Sequence, residues 1–296
     1  MSNYKQLQVI IICKTKISTI LKRLFLLTSG ILALVACSAD KTLQADGAVT
    51  TVTAPPQVAV QPNPGYRTPA YAAPSVQNPL NTLPSDFAPD IGVSFSSVRN
   101  DGNYIALTFD DGPHPKNTPR LLDILRQRNI RATFYVIGNS VNLYPEIARR
   151  IVAEGHEIGN HTYNHPNLTK LSNTSVRKEL DTTRDAIIRA TGVQPRTMRP
   201  PYGALRTSQR NMIHSEYGYP TILWDVDPLD WKRPGTAVVK SRILSGTKSG
   251  SIVLAHDLHS TTVDAMPTTL DALLAKNFRF VTVSQLLTMK KSQQNQ

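Results

Sequence analysis

The sequence predicts an α/β fold built on a mostly parallel sheet, open or closed into a barrel. Three observations carry that expectation. From about residue 93, short apolar runs alternate with amphipathic stretches over roughly two hundred residues. The runs are rich in β-branched and aromatic residues, as in Tyr104-Ile-Ala-Leu-Thr-Phe109. Polar residues able to do chemistry fall where runs end: Asp110 and Asp111 after one, His256 after another. In open and closed α/β sheets alike, function gathers at the carboxyl ends of the strands.

The expected strands are Ile105–Phe109, Ala132–Ile137, Glu157–Gly159, Thr197–Arg199, Thr221–Trp224, Ile252–Ala255 and Phe280–Val283. The expected helices are Thr118–Arg128, Pro145–Glu154, Thr174–Thr191, Thr207–Glu216, Thr236–Leu244, Val263–Lys276 and Ser284–Lys290. Leu121, Leu122 and Leu125 share one helical face by spacing, as do Tyr144, Ile147 and Ile151.

The remainder of the 296 residues reads differently. Residues 1–36 carry five basic residues and no acid, and Lys22 and Arg23 precede an apolar run ending in small residues. That run is too short to span a bilayer comfortably and predicts an export signal. Leu34-Val-Ala-Cys37 resembles a bacterial lipobox, which predicts cleavage before Cys37 and its lipidation, with an uncut anchor helix as the other reading. Ser38 after the cysteine leans toward the outer membrane over the inner. Residues 37–92 are rich in Ala, Pro, Thr, Gln and Asn and read as a disordered, lipid-anchored linker. The folded domain is expected over 93–296.

Cys13 and Cys37 are the two cysteines, both ahead of that domain. No disulfide framework or thiolate zinc site can form within it, so any metal must be held by histidine and carboxylate. The net charge of +12 suits an anionic envelope polymer. With no nucleic-acid motif and no basic run, nucleic acid is not an expected partner, and no protein partner is predicted.

Five stretches could carry chemistry. Asp110 and Asp111 close a strand, and Gly112 and Pro113 break the chain. Alone this is first of all a turn, but paired carboxylates ionise together only beside a cation or an arginine. His161-Thr-Tyr-Asn-His165 sets two histidines at i and i+4, expected on one face of a helical turn and close enough to share an ion. With one carboxylate they would form a His-His-Asp site with open positions; alone they also suit surface or core histidines. Arg199-Pro-Pro-Tyr-Gly203 is a rigid turn able to aim a main-chain N–H at an oxyanion, or a plain loop. In Asp227-Pro-Leu-Asp-Trp231, an acid can fix a charged partner while the ring walls a pocket; otherwise Asp230 caps a helix and Trp231 enters the core. Ile252-Val-Leu-Ala-His-Asp257 brings His256 to a strand end, where a general acid or a satisfied buried histidine would stand.

Together and in this order, these stretches resemble the polysaccharide deacetylases, the NodB-homology family also called carbohydrate esterase family four. The resemblance covers roughly residues 100–288, through Thr108–Pro113, His161–His165, Arg199–Gly203, Asp227–Trp231 and Leu254-Ala-His256. It implies a distorted (β/α) barrel of seven or eight parallel strands. It implies that Asp111, His161 and His165 bind one divalent metal, usually zinc, with cobalt, nickel or manganese as alternatives. It implies Asp110 as the general base, held by Arg199, and His256 as the acid, oriented by Asp230. The Tyr202 N–H would stabilise the oxyanion, while Trp231 and Leu254 would line the acetyl pocket. His259 is expected at the rim, and His114 and His156 are expected to be structural.

The function so implied is a metal-dependent hydrolase that removes N-acetyl groups from N-acetylglucosamine residues of an acetylated envelope polysaccharide, peptidoglycan or chitin-like. An O-acetyl esterase on xylan-like glycans would use the same machinery. A non-catalytic glycan-binding lipoprotein is the alternative of another class. The expected location is the cell envelope, with the membrane reached through a lipidated Cys37.

Overall fold

The computed structural model of the protein describes residues 92–289. The expected signal, Cys37 and the linker up to residue 91 lie outside the described residues. Among the described residues no helix is long and apolar enough to cross a membrane.

In chain order the strands are β1 (Ser94–Phe95), β2 (Tyr104–Asp110), β3 (Thr133–Val136), β4 (Glu157–Asn160), β5 (Thr221–Ile222), β6 (Ile252–His256) and β7 (Arg279–Val281). The helices are α1 (Asn117–Gln127), α2 (Gly138–Leu143), α3 (Pro145–Ala153), α4 (Asn173–Thr191), α5 (Thr207–Tyr217), α6 (Thr236–Gly246), α7 (Ser260–Ala275) and α8 (Val283–Thr288). Short 3-10 turns fall at Leu168–Lys170, Pro201–Gly203 and Asp230–Lys232.

All pairings between these strands are parallel. The central order is β4-β3-β2-β6, and β7 pairs with the start of β2. Beyond β4 the sheet continues through a single residue, Met198, bridged to Asn160 on one side and Thr221 on the other. A further bridge, Val226 to Val253, brings the chain after β5 back to β6. The strands thus form a distorted barrel whose last seam is made of single bridges rather than a continuous ladder.

Strand periodicity sorts the side chains of β2. Ile105, Leu107 and Phe109 pack outward in the main core with Leu121, Leu122 and Leu125 of α1. Ala106 lies in a second, inner cluster with Tyr135, Ile222 and Ile252. Thr108 and Asp110 continue that inner row, so the barrel interior ends in polar groups at its carboxyl rim.

Three expectations about the elements need correction. Thr197–Arg199 is no separate strand: Met198 alone bridges, because Pro195 and Pro200 flank it and lack the N–H groups a longer ladder needs. The expected strand Thr221–Trp224 stops at Ile222, where the Leu223 carbonyl is taken by the Arg199 side chain. Helix α2 was not expected; it is one short turn-and-a-half with only Gly138 and Val141 buried, too little for a visible period.

Candidate active site

The carboxyl end of β2 carries the two acids. Asp110 is almost fully buried and accepts a 2.8 Å hydrogen bond from Arg199 Nη1 on Oδ1. Arg199 is wholly buried and is the largest such side chain. Its Nη1 also donates to Thr108 Oγ1 at 2.6 Å, Nε to the Ile222 carbonyl at 3.2 Å and Nη2 to the Leu223 carbonyl at 3.0 Å. Its guanidinium stands 4.4 Å from the Tyr135 ring centroid and 5.5 Å from that of Trp224. Four hydrogen bonds and two ring faces leave this cation one orientation, and it supplies the counter-charge that a buried carboxylate requires.

Asp111 goes the other way. Its φ of 74° puts it in the left-handed region, so it leaves the alternation of the strand. Its Oδ1 comes 3.4 Å from His161 Nε2 and 3.3 Å from His165 Nε2. The Asp111, His161 and His165 donor atoms lie within 4.8 Å of one another. Asp111 Oδ1 is buried without a hydrogen-bond partner. One oxygen and two imidazole nitrogens converging on a buried, unsatisfied acceptor fit a divalent cation with positions left open.

The two histidines do not meet on a helical turn, as their spacing suggested. Residues 161–167 form no helix, and Thr162 and His165 have φ of 68° and 57°. The loop folds back on itself instead and sets the rings 5.0 Å apart. His161 Nδ1 lies 2.7 Å from the Arg199 carbonyl, which can only accept, so Nδ1 carries a proton and Nε2 is the nitrogen turned toward Asp111. His165 packs edge-on against Tyr202 at 4.7 Å.

Opposite stands a second pair. His256 ends β6 directly beside Asp110 in the β2–β6 register. Its Nδ1 is 2.8 Å from Asp230 Oδ1, and its N–H donates to Asp230 Oδ2 at 2.8 Å. Trp231 N–H and Thr262 Oγ1 also donate to Asp230, at 3.0 and 2.8 Å. Four donors therefore hold this fully buried carboxylate.

The electrostatics divide the site. Burial works against an ionised Asp111, but the histidines around it outweigh burial and hold its pKa at about 2. Burial likewise opposes a charged His256, yet the Asp230 hydrogen bond and the carboxylates of Asp230, Asp110 and Asp111 lift it to about 9. Burial and the neighbouring His161 lower His165. The site so holds a neutral donor, His165, on one side and a protonated imidazole, His256, on the other.

Tyr202 has φ of 61° at the apex of its turn, and the two N–H groups after it, of Gly203 and Ala204, donate back to the Pro200 and Pro201 carbonyls. Trp231 follows Asp230 and is half exposed, not in the core. Leu254 is buried opposite Thr108 on β6. His259 is the residue before α7, its ring 6.1 Å from that of His256. His114 and His156 accept backbone N–H groups away from the cluster, from Asn117 at 3.1 Å and from Ala132 at 3.1 Å.

Sequence reasoning missed several participants. Thr108, inside the first motif, links Arg199 to the Val253 carbonyl, to which it donates at 2.7 Å. Tyr135 and Trp224 sandwich Arg199 with no local signal in the sequence. Glu179 sits in the second turn of α4 and binds the histidine loop. Asp257 is the one with a visible cue, its place next to His256. It is fully buried, bonded by Thr118 Oγ1, and burial pushes its pKa up to about 7.

Comparisons with known proteins point to one family. The family model described as polysaccharide deacetylase matches residues 97–222. The peptidoglycan-N-acetylglucosamine deacetylase PgdA of Listeria monocytogenes is 43% identical over 182 residues, 62% of this chain and 38% of that protein. The match thus spans well under half of the Listeria protein. A peptidoglycan-N-acetylglucosamine deacetylase of Bacillus cereus is 39% identical over 198 residues, 65% of this chain and 92% of that protein. A crystal structure of a peptidoglycan N-acetylglucosamine deacetylase superposes with a TM-score of 0.64 at 34% identity, covering 67% of this chain and 95% of that one.

Proposed function

Because the chain belongs to the polysaccharide deacetylase family, we propose that it is a metal-dependent hydrolase removing N-acetyl groups from N-acetylglucosamine residues of an envelope polysaccharide, with peptidoglycan first. One observation carries the reading: three ligand atoms, a buried Asp–Arg pair and a hydrogen-bonded His–Asp pair converge at one rim of the barrel.

Amide hydrolysis without a covalent nucleophile needs an activated water, a polarised carbonyl and a proton for the leaving amine. Asp111, His161 and His165 would hold the metal, most simply zinc for an N,N,O donor set. Bound there, a divalent cation supplies Lewis acidity and lowers the pKa of water from ~15.7 toward ~7. Asp110 accepts the water proton, and Arg199 fixes the carboxylate for that task. The Tyr202 main-chain N–H faces the developing oxyanion from its turn. His256, protonated below about pH 9, donates from Nε2 to the amine nitrogen as the C–N bond breaks. Asp230 holds Nδ1–H and so leaves Nε2–H as the donating proton. Leu254 and Trp231 line the acetyl side. Basic and acidic partners thus enter side by side from neighbouring strands, β2 and β6. An exported, Cys37-lipidated chain would bring this chemistry to the envelope.

The deciding experiment is acetate release from peptidoglycan, chitooligosaccharides and acetylated xylan, with added zinc, cobalt, nickel or manganese and with chelator. Release from the first, dependent on metal, is expected. Asp110→Asn should keep metal and lose ~10²–10⁴-fold in rate, the usual worth of a general base. His161→Ala should lose both. Faster release from xylan esters would assign the esterase reading, and glycan binding with no acetate from metal-replete protein would assign the non-catalytic one.

A further inference from the structure

The loop that carries both histidine ligands is tied at its start by the main chain: His161 N–H donates to the Val136 carbonyl at 3.1 Å, and the Gly138 and Asn139 N–H groups donate to the Thr162 and Tyr163 carbonyls at 3.0 and 3.2 Å. Its next four N–H groups all go to side chains. Thr162 N–H donates to Asn160 Oδ1 at 2.9 Å and His165 N–H to Thr162 Oγ1 at 3.1 Å. Those two acceptors belong to the loop and its entry strand. The middle two, Tyr163 N–H and Asn164 N–H, both donate to Glu179 Oε2 at 2.8 Å. Asn164 Nδ2 donates to the other oxygen, Oε1, at 3.1 Å. Glu179 is the acceptor that comes from a distant element, the second turn of α4, and it grips the loop with both oxygens.

The two ligands are supported unequally. His161 is oriented through its own ring, by Nδ1–H on the Arg199 carbonyl. For the His165 ring, no protein hydrogen bond appears among the described residues; it has the edge contact with Tyr202 and the close approach of Nε2 to Asp111. A ligating histidine usually has its second nitrogen fixed by a carboxylate or carbonyl. Here the backbone must do that work, and His165 itself sits at φ of 57°, a conformation a non-glycine residue holds only when its surroundings impose it.

We propose that Glu179 is a positioning residue for the metal site, fixing the loop so that His165 aims at Asp111. The inference rests on the metal reading above. Loss of Glu179 releases two adjacent N–H groups and the Asn164 amide; the Gly138 and Asn139 N–H groups still hold the Thr162 and Tyr163 carbonyls, so the part freed to relax is Asn164 and His165. Metal affinity therefore falls before the fold does, because α4 stays anchored through Val176, Leu180 and Ile187.

The test is zinc affinity of the whole protein by competition with a chromophoric chelator, beside melting of the metal-free form. Glu179→Ala should weaken zinc ~10–100-fold, the usual worth of an outer contact to a ligand, with little change in metal-free melting. Glu179→Gln places an NH₂ against the Asn164 NH₂ and should fall between. Glu179→Gln combined with Asn164→Asp restores donor to acceptor at unchanged net charge and should recover most of the affinity. Zinc affinity of Glu179→Ala within twofold of wild type, or a double variant no better than Glu179→Gln, overturns the proposal. His161→Ala is the control for the premise: if it binds zinc as wild type does, the metal site itself is elsewhere.

Discussion

Asp230→Asn tests the acid assignment most directly, because it removes one charge and almost no volume. Asp230 accepts four hydrogen bonds, from His256 Nδ1–H, His256 N–H, Trp231 N–H and Thr262 Oγ1–H. An amide offers one acceptor oxygen where the carboxylate offers two, so its NH₂ must face a donor on either side. The least costly arrangement turns the NH₂ toward Thr262, whose hydroxyl can rotate to accept. His256 then loses its anionic partner while burial still opposes its charge, and its pKa drops from about 9 to the ordinary 6.5 or lower. That fall of about 2.5 units corresponds to roughly 3 kcal/mol at ~1.36 kcal/mol per unit. At pH 8 the protonated fraction drops from roughly nine-tenths to a few hundredths, a loss of ~30-fold. Since the acid form works, activity disappears as pH rises through the folded pKa. The assay is acetate release from pH 5.5 to 10 at saturating metal. A bound cation draws the His256 value down in both proteins, so the displacement of the alkaline limb between them is what is read. An expected displacement is two units or more downward. A limb within half a unit of wild type would sink the reasoning.

Two further outcomes follow from buried charge. Arg199→Met strips the buried Asp110 carboxyl of its guanidinium partner, and should cost ~3–5 kcal/mol in urea denaturation besides abolishing acetate release, as when one partner of a buried ion pair is removed. Unfolding free energy within 1 kcal/mol of wild type, with Asp110 still active, would show that the pair is dispensable. Asp257→Asn changes the pH dependence of stability. The folded pKa of Asp257 is raised to about 7 from 3.8, so the native state binds the extra proton between those values and wild type loses stability as pH rises through that window. The uncharged variant is spared this loss and should gain on wild type by up to roughly 3 kcal/mol between pH 5 and pH 8, measured by urea denaturation at both. His156, neutral and buried with a pKa of about 3, titrates in the opposite sense but equally in both proteins, so it cancels in the difference. A stability difference independent of pH would place the Asp257 proton wrongly.

What the sequence could reveal was whatever local pattern controls. Strand β2 and helix α1 were legible because their apolar periods are strong, and Asp110, Asp111 and His256 because strand ends are where such residues can face a site. The Met198 segment was not, since its pairing is imposed by neighbours on both sides against two flanking prolines. The His161–His165 spacing suggested the right neighbours for the wrong reason: a helical turn would bring i and i+4 together, but here positive φ at Thr162 and His165 does so. Glu179 was invisible for a plain cause. It lies fifteen residues beyond Asn164, in a helix whose polar face carries charges of both signs, and its partners are backbone groups that leave no mark in sequence. Trp231 was weighed as either pocket wall or core residue, and its half-exposed position rules out the second.

The adjacency of Asp110 and Asp111 is best understood through the residue after them. Were β2 to continue, Asp111 would point outward, into the apolar layer that Phe109 and Leu121 share. The left-handed turn at Asp111 takes it out of that layer and brings its Oδ1 to the histidines. Gly112 permits the turn to sit close against β6: a Cβ there would lie 2.5 and 2.6 Å from the two oxygens of Asp257. The same contact joins the acid-bearing turn of β2 to the residue following His256, and Thr118 at the head of α1 bonds the same carboxylate. Asn117 Nδ2 adds a 2.9 Å bond to the Leu258 carbonyl. The two halves of the candidate site, base with ligands on one side and acid on the other, are thus fastened beneath by Asp257 and α1 as well as by the β2–β6 ladder. Like charges on neighbouring residues are tolerable here because each faces a different partner, the Arg199 guanidinium for Asp110 and the two imidazoles for Asp111, and because the backbone turns between them.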